Sequence, residues 1–184
     1  MPYEAPQGRR VNAIGGYFSH GPLAGAFSFL TFARLSRSRA KQARKSEAER
    51  AAEHGLTPEE VGVIDSDVFL GFLWLLAGRP PEAPPHWRRE RPLVVVIDNY
   101  SVHRSTQVQE EAARLAAADI HLFYLPAYSP ELSRIEPIWQ DAKYREMPVR
   151  SHAHLGDLKR AVDEALARKA IQLRQTTQLL NRPA

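Results

Sequence analysis

The sequence predicts an α/β fold, and three observations carry that prediction. Leu93–Ile97 is an unbroken run of apolar, mostly β-branched residues, and Ile120–Leu125 is a second apolar run. Runs of this kind belong to strands buried on both faces, as in parallel sheets. Between them, from a cap at Ser105 to about Ala118, Val108, Ala112 and Leu115 recur at helical spacing. Strand, helix and strand at this length form a βαβ unit with a right-handed crossover.

The preceding chain supplies further elements. Val11–Phe18 and Ala26–Phe32 read as two strands joined by a turn over Ser19–Gly25, which holds two Gly and a Pro. Gly15 and Gly16 inside the first strand predict a bulge or a close backbone approach. Residues 34–63 change character, first basic and then rich in Ala, Glu and Arg. Thr57-Pro58-Glu59-Glu60 has the cap, the Pro and the third-position Glu of a helix start. The segment reads as a surface insertion, open to two readings: a solvated helical face or a DNA-contacting arm. Asp65 or Ser66 caps a helix through Ala77, with Phe69, Phe72, Leu73 and Leu76 on one face, and Gly78 ends it. Residues 79–92 carry five prolines and form a linker loop. Ser133 to about Glu146 is a helix, and residues 152–184 form the C-terminal helical segment, with its long helix running from about Leu155 towards Leu180.

Bulk properties set limits. With 184 residues, 43% hydrophobic and 25% charged, the chain suits one globular domain with a sizeable core. The net charge is +4, and seven Lys or Arg against two Glu between Arg34 and Arg50 form a local excess larger than that. A basic balance is mild support for an anionic partner such as nucleic acid. The absence of cysteine excludes disulfides, thiolate zinc sites and a Cys nucleophile, and fits a reducing cytoplasm. No apolar run is long enough to span a bilayer, and Met1-Pro-Tyr-Glu-Ala-Pro lacks the basic start and apolar centre of a signal peptide.

The chemistry lies at the strand ends. In open α/β sheets functional groups collect at the carboxyl ends of parallel strands. Asp98 is the first polar residue after Leu93–Ile97, and Asn99 and His103 follow on the same loop as candidate support for the site. A carboxylate held by a strand is a good hard-oxygen ligand for Mg²⁺. Glu136 has two readings. Ser133-Arg-Ile-Glu136 matches a capping box, which accounts for the Glu without catalysis. Alternatively, the stiff Pro126-Ala-Tyr-Ser-Pro130 loop aims the following helix start at the crevice beside Asp98. Carboxylates that hold two Mg²⁺ ions about 3.5–4 Å apart support in-line displacement at phosphorus. His152-x-His154 could pair on a metal but reads better as the approach to a helix. No Gly-x-Ser-x-Gly elbow and no phosphate-binding Gly-Lys loop is present.

Val-Val-Val-Ile-Asp98-Asn-Tyr-Ser-Val-His103 and Leu-Pro126-Ala-Tyr-Ser-Pro130-Glu-Leu-Ser-Arg-Ile-Glu136-Pro-Ile-Trp139 together resemble the DDE transposases of bacterial insertion sequences in the mariner superfamily. The likeness takes in most of the chain outside the basic insertion. It implies a ribonuclease-H-like fold, a five-stranded mixed sheet flanked by helices. It also implies cutting and joining of DNA at transposon ends by three acids that bind Mg²⁺ or Mn²⁺, two ions in the complete enzyme. Carried over by motif, Asp98 is the second acid and Glu136 the third, both catalytic and metal-binding. Ser133-Arg134-Ile135-Glu136 departs from the family's usual Asn-Pro-Ile-Glu, but Ser caps as well as Asn.

A second departure has larger consequences. The family's first Asp lies on the first, central strand, upstream of a hairpin that here begins at Val11. Glu4, in a Pro-flanked coil, is a poor substitute, and the helix-turn-helix region that normally precedes the catalytic domain is absent as well. The resemblance therefore implies the C-terminal catalytic portion of a DDE transposase, inactive and only marginally folded alone. The first strand is missing, and the chain is either a truncated remnant or the downstream product of a split or frameshifted reading frame, in which case an upstream transposase fragment would supply the first Asp and the helix-turn-helix. The expected partners are transposon-end and target DNA, contacted by Arg37, Arg39, Lys41, Arg44, Lys45 and Lys143. A homodimer is expected when the enzyme is complete, with no membrane partner. The expected location is the bacterial cytoplasm, at the nucleoid. A non-catalytic DNA-binding or dimerisation remnant is the alternative. A junction resolvase of ribonuclease-H-like fold is disfavoured by Tyr128-Ser-Pro-Glu-Leu.

Overall fold

The computed structural model describes residues 9–35, 45–147 and 152–180. The chain forms two compact units, Met1–Val63 with Pro137–Ala184, and Ile64–Glu136.

The first unit is built on an antiparallel hairpin, β1 (Arg10–Tyr17) and β2 (Phe27–Arg34), in the register Arg10 opposite Arg34 and Tyr17 opposite Phe27. The turn between them ends at Gly25, whose φ of 83° only glycine adopts freely. Gly15 is the close approach anticipated for the double glycine. A Cβ there would lie 2.8 Å from the Trp139 ring and 2.9 Å from Phe27. The Phe27 and Trp139 rings meet edge to face at 5.6 Å. Gly15→Val should therefore destabilise the chain by about 1–3 kcal/mol through overpacking, read as a lower denaturant midpoint at unchanged slope.

Residues 34–63 are more than a surface insertion. Ser46 caps helix α1 (Glu47–Ala52) through a full capping box with Glu49. Ala51 and Leu56 then bury themselves with Ala33 and Leu155, with Val11, Leu35, Val61 and Leu158 packed around them. The Thr57 helix start yields only a single 3₁₀ turn, Pro58–Glu60, although the Thr57 backbone N–H does donate to the Glu60 carboxylate at 2.9 Å. Tertiary packing turns a segment of polar composition into part of a core.

The C-terminal helix, α5 in the numbering used below, spans Leu155–Leu180 and packs on β2. Leu155, Ala165 and Leu166 are its buried apolar residues. Lys159, 7% exposed at the side chain, is buried too and is held by Asp163 at 2.7 Å, one helical turn on. Thr31 of β2 donates its hydroxyl to the same Asp163. The α5 helix also carries Lys169, paired with Asp141, and Arg168, 3.1 Å from Glu146. Lys169 holds the Asp141 carboxyl below its ordinary range. Hydrogen bonds from Gln172 and then Arg168 do the same for Glu146. A carboxyl with a depressed folded-state pKa contributes stability above its unfolded value and loses it as pH falls through the folded value. Melting temperature should therefore hold steady from neutral pH down to about 5 and fall below about 4.5, where unfolded carboxyls protonate. Lys169→Met should flatten part of that acid slope.

The second unit contains the predicted βαβ. Asp65 accepts a hydrogen bond from the Val68 N–H at 3.0 Å and caps α2 (Ser66–Leu76). Gly78, at φ 71°, closes that helix as expected. Strand β3 (Leu93–Ile97) pairs in parallel with β4 (Ile120–Tyr124), Leu93 opposite Ile120 and Ile97 opposite Tyr124. The connecting helix α3 (Thr106–Ala117) is capped by Ser105. The Ser105 hydroxyl also accepts the Ser66 hydroxyl at 2.8 Å, so the first residue of α2 is tied to the cap of α3.

Three expectations for this unit need correction. Val94 and Val96 are 62% and 54% exposed, so β3 is not buried on both faces. Among the described residues the strands form two two-stranded sheets, one antiparallel and one parallel. Among the described residues of the second unit, nothing covers the face of that pair that carries Val94, Val96 and Phe123. Ala112 is exposed, and Val108 and Leu115 alone make the fully buried stripe of α3. The Pro-rich segment 79–92 is also more than a linker. Arg89 donates to the Ala77 carbonyl at the end of α2, Arg79 lies over the Trp74 ring, and Trp87 meets Trp74 edge-on at 6.5 Å.

Candidate active site

Both carboxylates singled out in the sequence line one pocket of the second unit. It holds about 190 Å³ and is bounded by Asp98, Asn99, Leu125, Pro126, Tyr128, Ser129, Ser133 and Glu136. Asp98 stands one residue past the end of β3, and the 125–135 loop leaves the end of the adjacent β4. Parallel pairing places both strand ends on the same side, and the crevice forms there.

Asp98 is 58% exposed at the side chain, and its two oxygens are not equivalent. Oδ1 accepts the Tyr100 backbone N–H at 2.9 Å and faces His103 Nδ1 at 2.8 Å. The His103 ring is held in turn by Phe69, with ring centroids 4.4 Å apart, and by the edge of Tyr100.

Asn99 is fully committed. Its amide N–H donates to the Leu125 carbonyl at 2.6 Å, and its amide oxygen accepts Arg104 Nε at 2.6 Å. Arg104 lies over the Tyr124 ring at 4.9 Å, and the Tyr124 hydroxyl donates to the His103 carbonyl at 2.8 Å. Asn99 is thus a strut between the two strand ends. Arg104 and Tyr124 were not anticipated as part of the site. Their only sequence signal is adjacency to His103 and to the strand end, which is too common to single them out.

For Glu136 the structure distinguishes between the two local readings. The capping box with Ser133 does not form. Helix α4 (Glu136–Asp141) begins at Glu136 itself, and the expected helix over 133–146 is broken into this short α-helix and a π-helical turn, Ala142–Glu146. Among the described residues no hydrogen bond or ion pair engages the Glu136 carboxylate. A polar side chain lining a pocket with no partner of its own is free to take a ligand.

The donor set is two carboxylates with two serine hydroxyls on the wall, all hard oxygen. That chemistry suits Mg²⁺ or Mn²⁺, which bind through one or two carboxylates and keep several waters. No group of three or more His, Asp or Glu that could hold a metal occurs among the described residues. His152 lies on the approach to α5, where its carbonyl accepts Arg9 at 2.7 Å. Tyr128, on the rim, has φ 57° and is fully exposed.

Arg37, Arg39, Lys41 and Arg44 lie outside the described residues. Lys45 is paired with Glu53, which raises its pKa. Lys143 is exposed, with its ammonium 5.2 Å from the Tyr144 ring. Among the described residues no helix is long and apolar enough to cross a membrane.

A family model described as DDE superfamily endonuclease matches residues 59–159, more than half of the chain, and the match contains β3, α3, β4, Asp98 and Glu136. No curated protein matches the chain significantly. The chain belongs to the DDE superfamily endonucleases.

Proposed function

We propose that the chain is the C-terminal catalytic portion of a DDE-type DNA transposase, from a bacterial insertion sequence of the mariner superfamily. Its two units would be parts of one ribonuclease-H-like catalytic domain. The observation that carries this reading is the unpartnered Glu136 carboxylate lining the same pocket as Asp98.

In this reading Asp98 and Glu136 hold Mg²⁺ or Mn²⁺. When bound, the ions supply activation of the attacking oxygen and charge neutralisation at the leaving oxygen of a phosphodiester. The chain's own residues fix where that happens. The Asn99 strut holds the ends of β3 and β4 together, and the Pro126–Pro130 loop carries Glu136 back to the pocket. Lys and Arg side chains track DNA phosphates, which makes binding steeply salt-dependent.

Two features support a third acid from outside the described residues. The described residues place two carboxylates at the pocket, and β3 pairs on one edge alone. Consecutive residues of a parallel strand direct their backbone groups to opposite sides. Leu93 N–H and Ile97 C=O bond towards β4, so those of Val94 and Val96 face the other way. A strand added at that edge would end beside Asp98. The reading is of an upstream transposase fragment that adds the strand, the first Asp and a helix-turn-helix, with a homodimer as the complete enzyme, acting on DNA at the nucleoid.

The test is complementation. The 184-residue chain should leave DNA uncut in Mg²⁺, and addition of the polypeptide encoded directly upstream should restore cleavage at the element's ends. Clean cleavage by the chain alone would refute the need for a partner. DNA binding without cleavage in any combination, indifferent to Asp98→Ala, would favour a non-catalytic DNA-binding or dimerisation remnant.

A further inference from the structure

The geometry points to His103 as the positioning residue that makes Asp98 a one-oxygen ligand. The inference rests on the proposed metal site and gives His103 a task within it.

A carboxylate only accepts hydrogen bonds, so the ring nitrogen facing Asp98 Oδ1 at 2.8 Å must carry the proton. The Tyr100 N–H occupies the same oxygen at 2.9 Å. With both donors on Oδ1, Oδ2 is left as the oxygen available to the pocket. An unsupported aspartate would rotate about its terminal torsion and offer either oxygen or both. Here the carboxylate is pinned by a ring that is itself clamped against Phe69 and Tyr100 and is only 19% exposed. Partners of this kind orient metal ligands, and their loss typically lowers metal affinity about 10–100-fold.

The backbone bond from Tyr100 follows from the local turn at Asp98. The His103 bond does not. It requires the 3₁₀ turn Ser101–Arg104 to bring residue 103 back over residue 98, and Phe69 of α2 to stop the ring from swinging out. Asn99 bonds to Leu125 and Arg104 rather than to Asp98.

Two substitutions separate orientation from packing. His103→Phe keeps an aromatic ring against Phe69 and removes the donor. His103→Asn places an amide N–H near the position of Nδ1. In the 184-residue chain, Mn²⁺ binding followed by electron paramagnetic resonance should weaken at least about tenfold in His103→Phe. It should recover most of that loss in His103→Asn and vanish in Asp98→Ala. Melting temperatures of the two His103 variants should stay close to that of the unsubstituted chain. Ring ¹⁵N shifts of His103, recorded without metal and well above the ordinary histidine pKa, should report the Nδ1–H tautomer.

Each failure has its own signature. Mn²⁺ binding lost in Asp98→Ala but unchanged in His103→Phe overturns the positioning role and leaves the metal site standing. Equal weakening in both His103 variants, with lowered melting temperatures, overturns it in favour of a purely structural histidine. An Nε2–H tautomer overturns the geometry itself. Absence of Mn²⁺ binding in the unsubstituted chain, both alone and with the upstream polypeptide added, overturns the metal-site reading, and the positioning role with it.

Discussion

Glu136→Gln and Asp98→Asn should each lower metal-dependent DNA cleavage by the complemented enzyme at least about a thousandfold, while the melting temperature of the Glu136→Gln chain stays the same. The two halves of this prediction have one cause. Both carboxylates line a single pocket, and among the described residues Glu136 touches no cationic or hydrogen-bonding partner. A structural carboxylate is stabilised by what surrounds it, so its amide loses something. The Glu136 carboxylate has no such partner among the described residues, so its amide costs the fold nothing. Loss of a metal ligand costs several kcal/mol of transition-state stabilisation, and each 1.4 kcal/mol or so is a factor of ten in rate. Cleavage rates and thermal melts on the same preparations would check both halves. A glutamine variant that melts much lower than the parent would show that Glu136 serves the fold, and the capping reading would return.

Asp163→Ala should destabilise the chain by about 3–5 kcal/mol, the cost of stranding a buried charge. Lys159 is 7% exposed and depends on Asp163 at 2.7 Å, with Glu60 a more distant 3.9 Å. The Thr31 hydroxyl would lose its acceptor in the same change. Lys159→Met replaces the lysine stem with an apolar chain of similar length and removes the charge that needs a partner. The double variant Asp163→Ala/Lys159→Met should therefore recover most of the loss. Chemical denaturation of the four proteins in this cycle measures the coupling directly. A loss of under about 1 kcal/mol for Asp163→Ala would mean that the lysine reaches water along its stem.

Much of the architecture was legible in the residues because it depends on local rules. The βαβ unit follows from two apolar runs around a helical period. The caps at Asp65 and Ser105 and the stop at Gly78 are set by backbone chemistry within a few residues. Gly15 announced a close approach, although its neighbour, the Trp139 ring, is far away in sequence. What failed was whatever depended on distant packing. The polar composition of 34–63 concealed Ala51 and Leu56, which are buried because Leu155 and Ala33 happen to meet them. The β-branched run of β3 promised two covered faces, but a strand cannot report whether a neighbour exists to cover it.

At the site the division is the same. The sequence alone determined the chemistry: hard oxygen donors, no thiol, an acid at a strand end and an acid after a stiff loop, in motifs of one endonuclease family. It could not decide whether Glu136 was a helix cap or a ligand, because Ser-x-x-Glu satisfies both. The tertiary structure decided that the cap does not form and that the carboxylate lines the pocket beside Asp98. It also decided that Asn99 is a strut and that His103 grips one oxygen of Asp98. Donor type is a property of residues, whereas the direction in which a donor points is set by the strands, turns and rings that hold it.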